Sequence, residues 1–517
     1  MTIDGVAMVE RSPTLGMSTA SATRALDAGP RTFQWDYEQH RGASRLNLQV
    51  ASDGRMPGPL DPYSLFPTEP TAASVRVGLA AKVSQRAAFI VWSAFGVMLV
   101  GIAGHRVLAL VQAPPRSWSR ITSRAHSFFD SVRTISPMVC AGVALSIVAY
   151  ATLLRIDAIT TRYGPLEQPR WAQALQNASD RFETWQSALG WRPVDHPYVG
   201  GDPINYIRFA KEMESFYGAH VREPVFPFVT KVWLWLLDQQ AIAVSFASAL
   251  FSVLGVWATW LLGSYVFSQW VGLGAALAMA IERDVISWGG NGWRDDAFTF
   301  GVVLSTYALV RCYRDTTYHT AVAAGLLGGL SCLTRITSLS FLLAGFGVLA
   351  IVYRADRARR RLLALAVLTM TVVTAPYLLN CWWQFGDPFY AINQHTEFYQ
   401  SRQGMSPQSD HSATRYIGAM VAEDPLRMVE VFAVGMTTYP FANKWRGFEP
   451  WWPGLGRWLS WSAVVGLGLM LRSSDGRFLL IVLAASLLPY AFTWEIRGGA
   501  EWRFTQHAYP FYLVAAF

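Results

Sequence analysis

The stretch FLLAGFGVLAIVYRADRARRRLLALAVLTMTVVTAPYLLN, residues 341–380, decides the fold class. Two apolar runs, 337–353 and 361–380, flank a short turn that carries Arg354, Arg357, Arg359, Arg360 and Arg361. Runs near this length cross a bilayer as helices, because in lipid each backbone N–H and C=O must be paired within its own segment. Cationic residues in short connections stay cytoplasmic, so the turn also fixes an orientation. Working outward, further apolar runs lie at 87–111, 135–154, 240–263, 266–282, 297–311, 320–334, 458–471, 478–494 and 504–517. The composition agrees: 52% of the residues are apolar and only 15% charged, against about 25% charged in a soluble domain, so lipid must cover much of the surface. The expected fold is an all-α polytopic membrane protein, a bundle of about 11 transmembrane spans with a long helical first outer loop.

The formal net charge is +8, almost all of it from arginine, since lysine occurs only at Lys82, Lys211, Lys231 and Lys444. No basic stripe with interleaved aromatics occurs outside the connections between apolar segments, so no nucleic-acid partner is expected. Topology explains the excess instead. Three more basic connections carry Arg311 with Arg314, Arg472 with Arg477, and Arg116, Arg120, Arg124 and Arg133. All four fall on one side if the interrupted apolar piece 428–441 is a surface or re-entrant helix. Cys140, Cys312, Cys332 and Cys381 are scattered, which indicates neither a disulfide framework nor a thiolate zinc site. Residues 1–85 read as a polar, disordered tail without a cleavable signal peptide, and 86–134 as an extra apolar segment followed by a basic cytoplasmic loop. Residues 135–517 form the expected transmembrane domain.

This trace puts 155–237, 283–296, the bend at Arg335, 381–457 and 495–503 on the outer face. Long loops in a compact protein are usually functional, so chemistry is expected there. In the first loop Gly200 and Gly201 break the chain, Asp202 takes an N-cap position and Pro203 the first helical position, so a helix starts at Asp202. Tyr206 and Ala210 share the face of Asp202, while Arg208, Lys211, Glu212 and Glu214 point elsewhere. A cap alone is worth about 1 kcal/mol, and a capping carboxylate is free to serve chemistry as well. Asp295 and Asp296 have the same double reading, as helix-dipole partners of the following span or as an acidic motif. Arg335 sits inside an otherwise continuous apolar stretch; it is either a snorkelling interfacial residue or a charge paired across a polar cavity. Trp233, Trp235, Trp382, Trp383, Trp451 and Trp452 lie at expected membrane edges and read as an interfacial belt. The sequon at Asn177 is a chance-level match.

Asp202, Tyr206 and the Glu223-Pro224-x-x-Pro227 element resemble the first outer loop of GT-C superfamily glycosyltransferases, in particular the family 39 group of protein mannosyltransferase-like and aminoarabinose-transferase-like enzymes and their bacterial relatives. NGWRDDAFTF is similar to that family's second acidic motif, and LTRITSL to its Leu-x-Arg turn. Phe385, Gly386 and Pro388 are similar to an aromatic-Gly-x-Pro element, and EWRFTQHAYPFYLV resembles the terminal outer loop through Arg503, Tyr509 and Pro510. The resemblance implies inverting transfer of a sugar from a polyprenyl-phosphate donor to a hydroxyl of a protein, lipid or glycan acceptor, at the outer face of a bacterial inner membrane. It makes Asp202 the base, and Tyr206, Arg222, Glu223, Arg335 and Arg503 substrate-binding residues, with Arg294 behind them. A divalent metal is left open, with Asp295, Asp296 and Glu223 as candidate ligands and His220, His395 and His411 as residues that could join them. Pro203 stands where the family often carries a second acid, which argues against a two-carboxylate site inside the first motif. No lectin-like domain interrupts the last third. The competing class is a transporter or flippase of lipid-linked sugars, although no internal repeat of the kind such proteins carry is found.

The orientation is directly testable. Cysteine placed at Ala355 should be protected from a membrane-impermeant maleimide in intact cells, whereas cysteine at Ser215 should be labelled; the reverse pattern overturns the topology.

Overall fold

The computed structural model describes residues 137–163, 202–237, 239–394, 412–437, 455–491 and 502–517, with short fragments before residue 88. Nearly all of the run 87–111, the arginines from Arg116 to Arg133, Asn177, His395, His411, Trp451 and Trp452 lie outside the described residues. The chain divides into two units, Met1–Val83 and Ser84–Phe517. In the first, Thr2–Ile3 pairs antiparallel with Val6–Ala7 and with Phe33–Gln34, and Gln49–Val50 pairs with Gly58–Pro59.

The described residues of the second unit are helices joined by turns and short connections. It begins with α1 (Pro137–Tyr163), α2 (Asp202–Glu212), α3 (Val225–Leu236), α4 (Ala243–Val266), α5 (Gln269–Ile281) and α6 (Arg283–Gly290). It continues through α7 (Asp295–Asp315), α8 (Tyr318–Thr334), a 3-10 turn (Ile336–Ser338), α9 (Leu339–Val352) and α10 (Arg357–Phe385). Then come α11 (Ala413–Glu423), α12 (Pro425–Thr437), α13 (Leu455–Met470), α14 (Ser474–Ala491), a second 3-10 stretch (Trp502–Ala508) and α15 (Tyr509–Ala516). Met138–Thr160, Ala243–Val266, Arg357–Phe385 and Ser474–Ala491 are each long and apolar enough to cross a membrane, and shorter apolar helices accompany them.

Three expected boundaries move. The first-loop boundary at 155 falls inside a helix, because α1 continues to Tyr163 with Arg155 and Asp157 buried against protein rather than lipid. The connection 283–296, expected on the outer face, holds α6, and α7 already starts within it at Asp295. The expected span 504–517 shortens to α15, because Thr505, Gln506 and His507 bury polar side chains in the preceding 3-10 stretch.

Local signals account for the helix ends. Asp356, inside the arginine-rich turn, caps α10 by accepting from Ala358 N (2.9 Å) and Arg359 N (3.1 Å). Thr317 and Thr320 form a reciprocal capping box at the start of α8. Gly386 ends α10 at φ +71°, a left-handed cap that glycine adopts without steric cost. The aromatic-Gly-x-Pro element thus spells a helix stop, and the Phe385 and Tyr390 rings stack just beyond it.

Helix α7 lies in the middle, packed on α4 and α8, while α8 packs along α10. Its 21 residues make it about 31 Å long, close to the hydrocarbon thickness of a bilayer. At one end Arg311 pairs with Asp315, Arg314 pairs with Asp475, and the Tyr265 hydroxyl donates to Asp315 (2.6 Å). Tyr353 donates to the Cys312 carbonyl there and carries Arg359 over its ring, so this is the end of the basic turn. The other end carries Asp295 and Asp296.

Small residues let the helices close up where no hydrophobic drive separates protein from lipid. A Cβ on Gly325 would lie 2.2 Å from the Ala366 carbonyl oxygen across the α8–α10 contact. Gly325→Val should force these helices apart and cost about 1–3 kcal/mol or more, read as a drop in melting temperature of the purified protein; an unchanged melting temperature would contradict the close approach.

Candidate active site

The Asp295 end of α7 is built from segments far apart in the chain. Glu223 stands just before α3, fully enclosed, and accepts from the Ile336 backbone N–H (2.8 Å) with Oε1 while Oε2 pairs with Arg294 Nη1. One carboxylate therefore ties the segment before α3 both to the residue before α7 and to the turn after α8. Arg335 leaves α8 in an extended conformation, φ −157°. Its Nη2 lies 3.1 Å from Asp295 Oδ1 and its Nη1 donates to the Tyr490 hydroxyl (3.2 Å). The rings of Phe298, Tyr490 and Phe504 surround the guanidinium with centroids 5.1, 5.6 and 5.8 Å away, an arrangement that stabilises a desolvated cation.

Asp296 faces a different set of partners. Gln506 Nε2 donates to its Oδ1 (3.0 Å), and the Ser248 hydroxyl lies 3.2 Å from its Oδ2. Four residues along α4, Ser252 accepts from Arg155 Nε (3.1 Å), and Arg155 Nη1 donates to the Ala280 carbonyl (2.8 Å). The adjacent carboxylates are thus divided, Asp295 toward Arg335 and Asp296 toward Gln506 and α4.

Asp202 opens α2, as its position after two glycines predicts. Tyr206, Phe209 and Ala210 are buried on one face and Arg208, Lys211 and Glu212 are exposed on the other, in agreement with the helical reading. The Tyr206 ring packs edge-on against Phe226 (5.0 Å). Burial raises the Tyr206 phenol above its ordinary range, with Arg294, Asp202, Arg222 and Asp295 as the charges acting on it. It stays a proton donor at neutral pH and links the Asp202 helix to the charged cluster. The Tyr377 hydroxyl donates to His220 O (2.9 Å) and Asn380 Nδ2 to Tyr217 O (2.7 Å), which fastens the loop after α2 to α10. Burial lowers the His220 imidazole below its ordinary range.

Glu223, Arg294, Asp295, Asp296 and Arg335 come together, and Asp202 with Tyr206 borders them. Arg222 does not join the network: it is half-buried, donates from Nη1 to its neighbour's carbonyl, and forms no ion pair among the described residues. The Arg503 side chain lies outside what is described. Trp235 is 74% exposed and Trp382 is exposed, as an interfacial belt requires, but Trp383 is buried and Trp233 stacks on Phe246. For the candidate metal ligands, Glu223, Asp295 and Asp296 each face a cation or an amide, and among the described residues no group of three or more His, Cys, Asp or Glu side chains is disposed to hold a metal. Arg155, Ser248, Tyr490, Gln506 and His507 belong to this region and were not singled out from the sequence. Of these only Arg155 carried a usable signal, a charge directly after an apolar run.

Residues 221–382 match the family described as dolichyl-phosphate-mannose-protein mannosyltransferase. The matched stretch contains Glu223, Arg294, Asp295, Asp296 and Arg335, while Asp202, Tyr206, Tyr490, Arg503 and Gln506 lie outside it. No curated protein sequence matches the chain. Among solved structures, the Archaeoglobus fulgidus oligosaccharyltransferase in complex with Zn and sulfate aligns at 15% identity and a TM-score of 0.40, covering 71% of this chain and 48% of its own. AglB from the same organism, in complex with an inhibitory peptide and a dolichol-phosphate, aligns at 13% identity and a TM-score of 0.39, covering 72% and 50%. The chain spans about half the length of these structures.

Removing one member of a buried ion pair leaves an uncompensated charge, at a cost of about 3–5 kcal/mol. Glu223→Gln keeps an acceptor for Ile336 N–H but loses the charge opposite Arg294, so it should lower the unfolding free energy by that order. Adding Arg294→Met should recover part of the loss in a double-mutant cycle; purely additive effects would show that the two side chains do not couple.

Proposed function

We propose that this protein is a membrane glycosyltransferase that moves a sugar from a polyprenyl-phosphate donor to an acceptor hydroxyl at the outer face of a bacterial inner membrane, with inversion. The observation that carries the reading is the convergence of the outer segments on one buried charged cluster, bordered by a half-exposed carboxylate, Asp202, at the start of its own helix. The matched mannosyltransferase family supports the same chemistry over the middle of the chain.

Transfer to a hydroxyl makes two demands. The acceptor must lose its proton as it attacks, so a carboxylate has to lie within hydrogen-bond reach of it. Asp202 is that base, with the protonated Tyr206 one helical turn away to orient the reacting groups. The departing lipid phosphate gains negative charge, and a fixed cation in a dry setting lowers the barrier most because it needs no reorganisation. Arg335 meets that description, held by Asp295 and Tyr490 within its aromatic surround, and Arg503 is the second cation of this reading. Inversion follows from direct attack on the anomeric carbon from the face opposite the leaving phosphate, with no enzyme-bound sugar. The acceptor is a protein, lipid or glycan hydroxyl.

Asparagine caps a helix as well as aspartate does, so Asp202→Asn separates the two roles of this residue. It should leave thermal stability nearly unchanged and binding of polyprenyl phosphate intact, while sugar transfer falls by about 10²–10⁴-fold. Undiminished transfer would reduce Asp202 to a cap. Movement of lipid-linked sugar across vesicles without any transfer would favour a flippase.

A further inference from the structure

The 3-10 stretch Trp502–Ala508 holds three consecutive polar residues that are almost completely enclosed: Thr505, Gln506 and His507. Enclosed polar groups are normally hydrogen-bonded, and each exception calls for a physical explanation. Among the described residues Thr505 Oγ1 and Gln506 Oε1 are both exceptions, and so is Arg294 Nε, on the residue directly before Asp295. The Gln506 amide is oriented by its Nε2, which donates to Asp296 Oδ1 (3.0 Å), an acceptor-only group in its ionised form. This bond leaves Oε1 as an acceptor with no donor. Thr505 departs from helical geometry (φ −117°, ψ 16°) and kinks the stretch at that residue. On either side of the pair, Phe504 lies over Arg335 and His507 packs edge-on against Phe298, so both residues sit against the Asp295–Arg335 cluster.

A neighbouring hydroxyl donor would satisfy Gln506 Oε1, and a neighbouring hydroxyl or ether oxygen would accept from Thr505. These are the groups a sugar presents. We propose that Thr505 and Gln506 are specificity-determining residues that hydrogen-bond the hydroxyls of the transferred sugar. This assignment rests on the glycosyltransferase reading above and adds to it the element that reads the sugar, as distinct from the base and the phosphate-facing cation. Sites built to bond a substrate hydroxyl reject analogues that lack it strongly, because their own buried groups are then left unpaired.

The test uses the full-length protein in lipid nanodiscs and measures affinity for polyprenyl phosphate and for polyprenyl-phosphate-linked mannose, galactose, glucosamine and arabinose. The wild type should prefer at least one sugar-bearing lipid to the bare phosphate by about tenfold or more, equivalent to about 1.4 kcal/mol. Thr505→Val and Gln506→Met should each remove most of that preference and leave affinity for bare polyprenyl phosphate unchanged. Because the Thr505 hydroxyl has no partner to lose among the described residues, Thr505→Val should fold with unchanged or raised melting temperature, so it carries the test even if Gln506→Met does not fold. Sugar preference retained in a folded Thr505→Val protein overturns the proposal and leaves the glycosyltransferase reading standing. A wild type that binds none of these lipids brings down both.

Discussion

The bifurcated role of Glu223 is the constraint on which the Asp295 end of α7 and the segments around it depend. A single enclosed carboxylate neutralises Arg294 and also caps the backbone of the turn at Ile336. The segment leading into α3, the residue preceding α7 and the exit from α8 are therefore one unit. In an apolar setting such a group is tolerated only when both oxygens are engaged, since the desolvation of an ion exceeds what a partial set of bonds returns. The neighbouring Arg335–Asp295 pair repeats the arrangement one step along, with aromatic faces in place of a backbone donor. Charge is scarce in this chain, and at the Asp295 end of α7 it is concentrated where it can be mutually compensated.

That division of labour explains why adjacent aspartates do not act as a pair. Asp295 is bound to a cation and Asp296 to an amide and a hydroxyl, so each is fixed in direction by a different part of the fold. Two carboxylates at neighbouring positions on a helix start point about 100° apart, which here aims one at the α8 turn and the other at α4 and the terminal 3-10 stretch. The N-terminal dipole of α7 favours both negative charges. Asp202, by contrast, opens a short amphipathic helix and is only half-buried, the setting a group needs if it is to meet an incoming substrate.

Much of this was legible in the sequence, and the boundary between legible and illegible is physical. Arg335 stood out because a lone charge in an apolar run must find a partner or water, and Asp202 because glycines, a cap residue and a proline occur in the order that starts a helix. The matched family stretch covers the second acidic motif and the arginine turn. Arg155 escaped notice because an apolar run is read as ending at the first charge, whereas its helix continues and its partners lie on α4 and α5, 97 and 125 positions away. Gln506 escaped for a related reason: a polar residue beside a terminal apolar segment looks like a loop until the distant carboxylate that holds it is known. Pairwise side-chain bonds across such separations leave no periodicity to read.

The bond between Gln506 and Asp296 joins residues 210 positions apart, and it has a consequence for biogenesis. Membrane helices enter the bilayer in order as the chain is made, so Asp295, Asp296 and Arg335 are in place long before the 3-10 stretch Trp502–Ala508 leaves the ribosome. Until that stretch docks, Asp296 lacks the amide that its buried position requires. The Asp296 end of α7 is thus completed only when residues made 210 positions later dock against it, and a chain still being inserted holds that carboxylate short of one of its fixed donors.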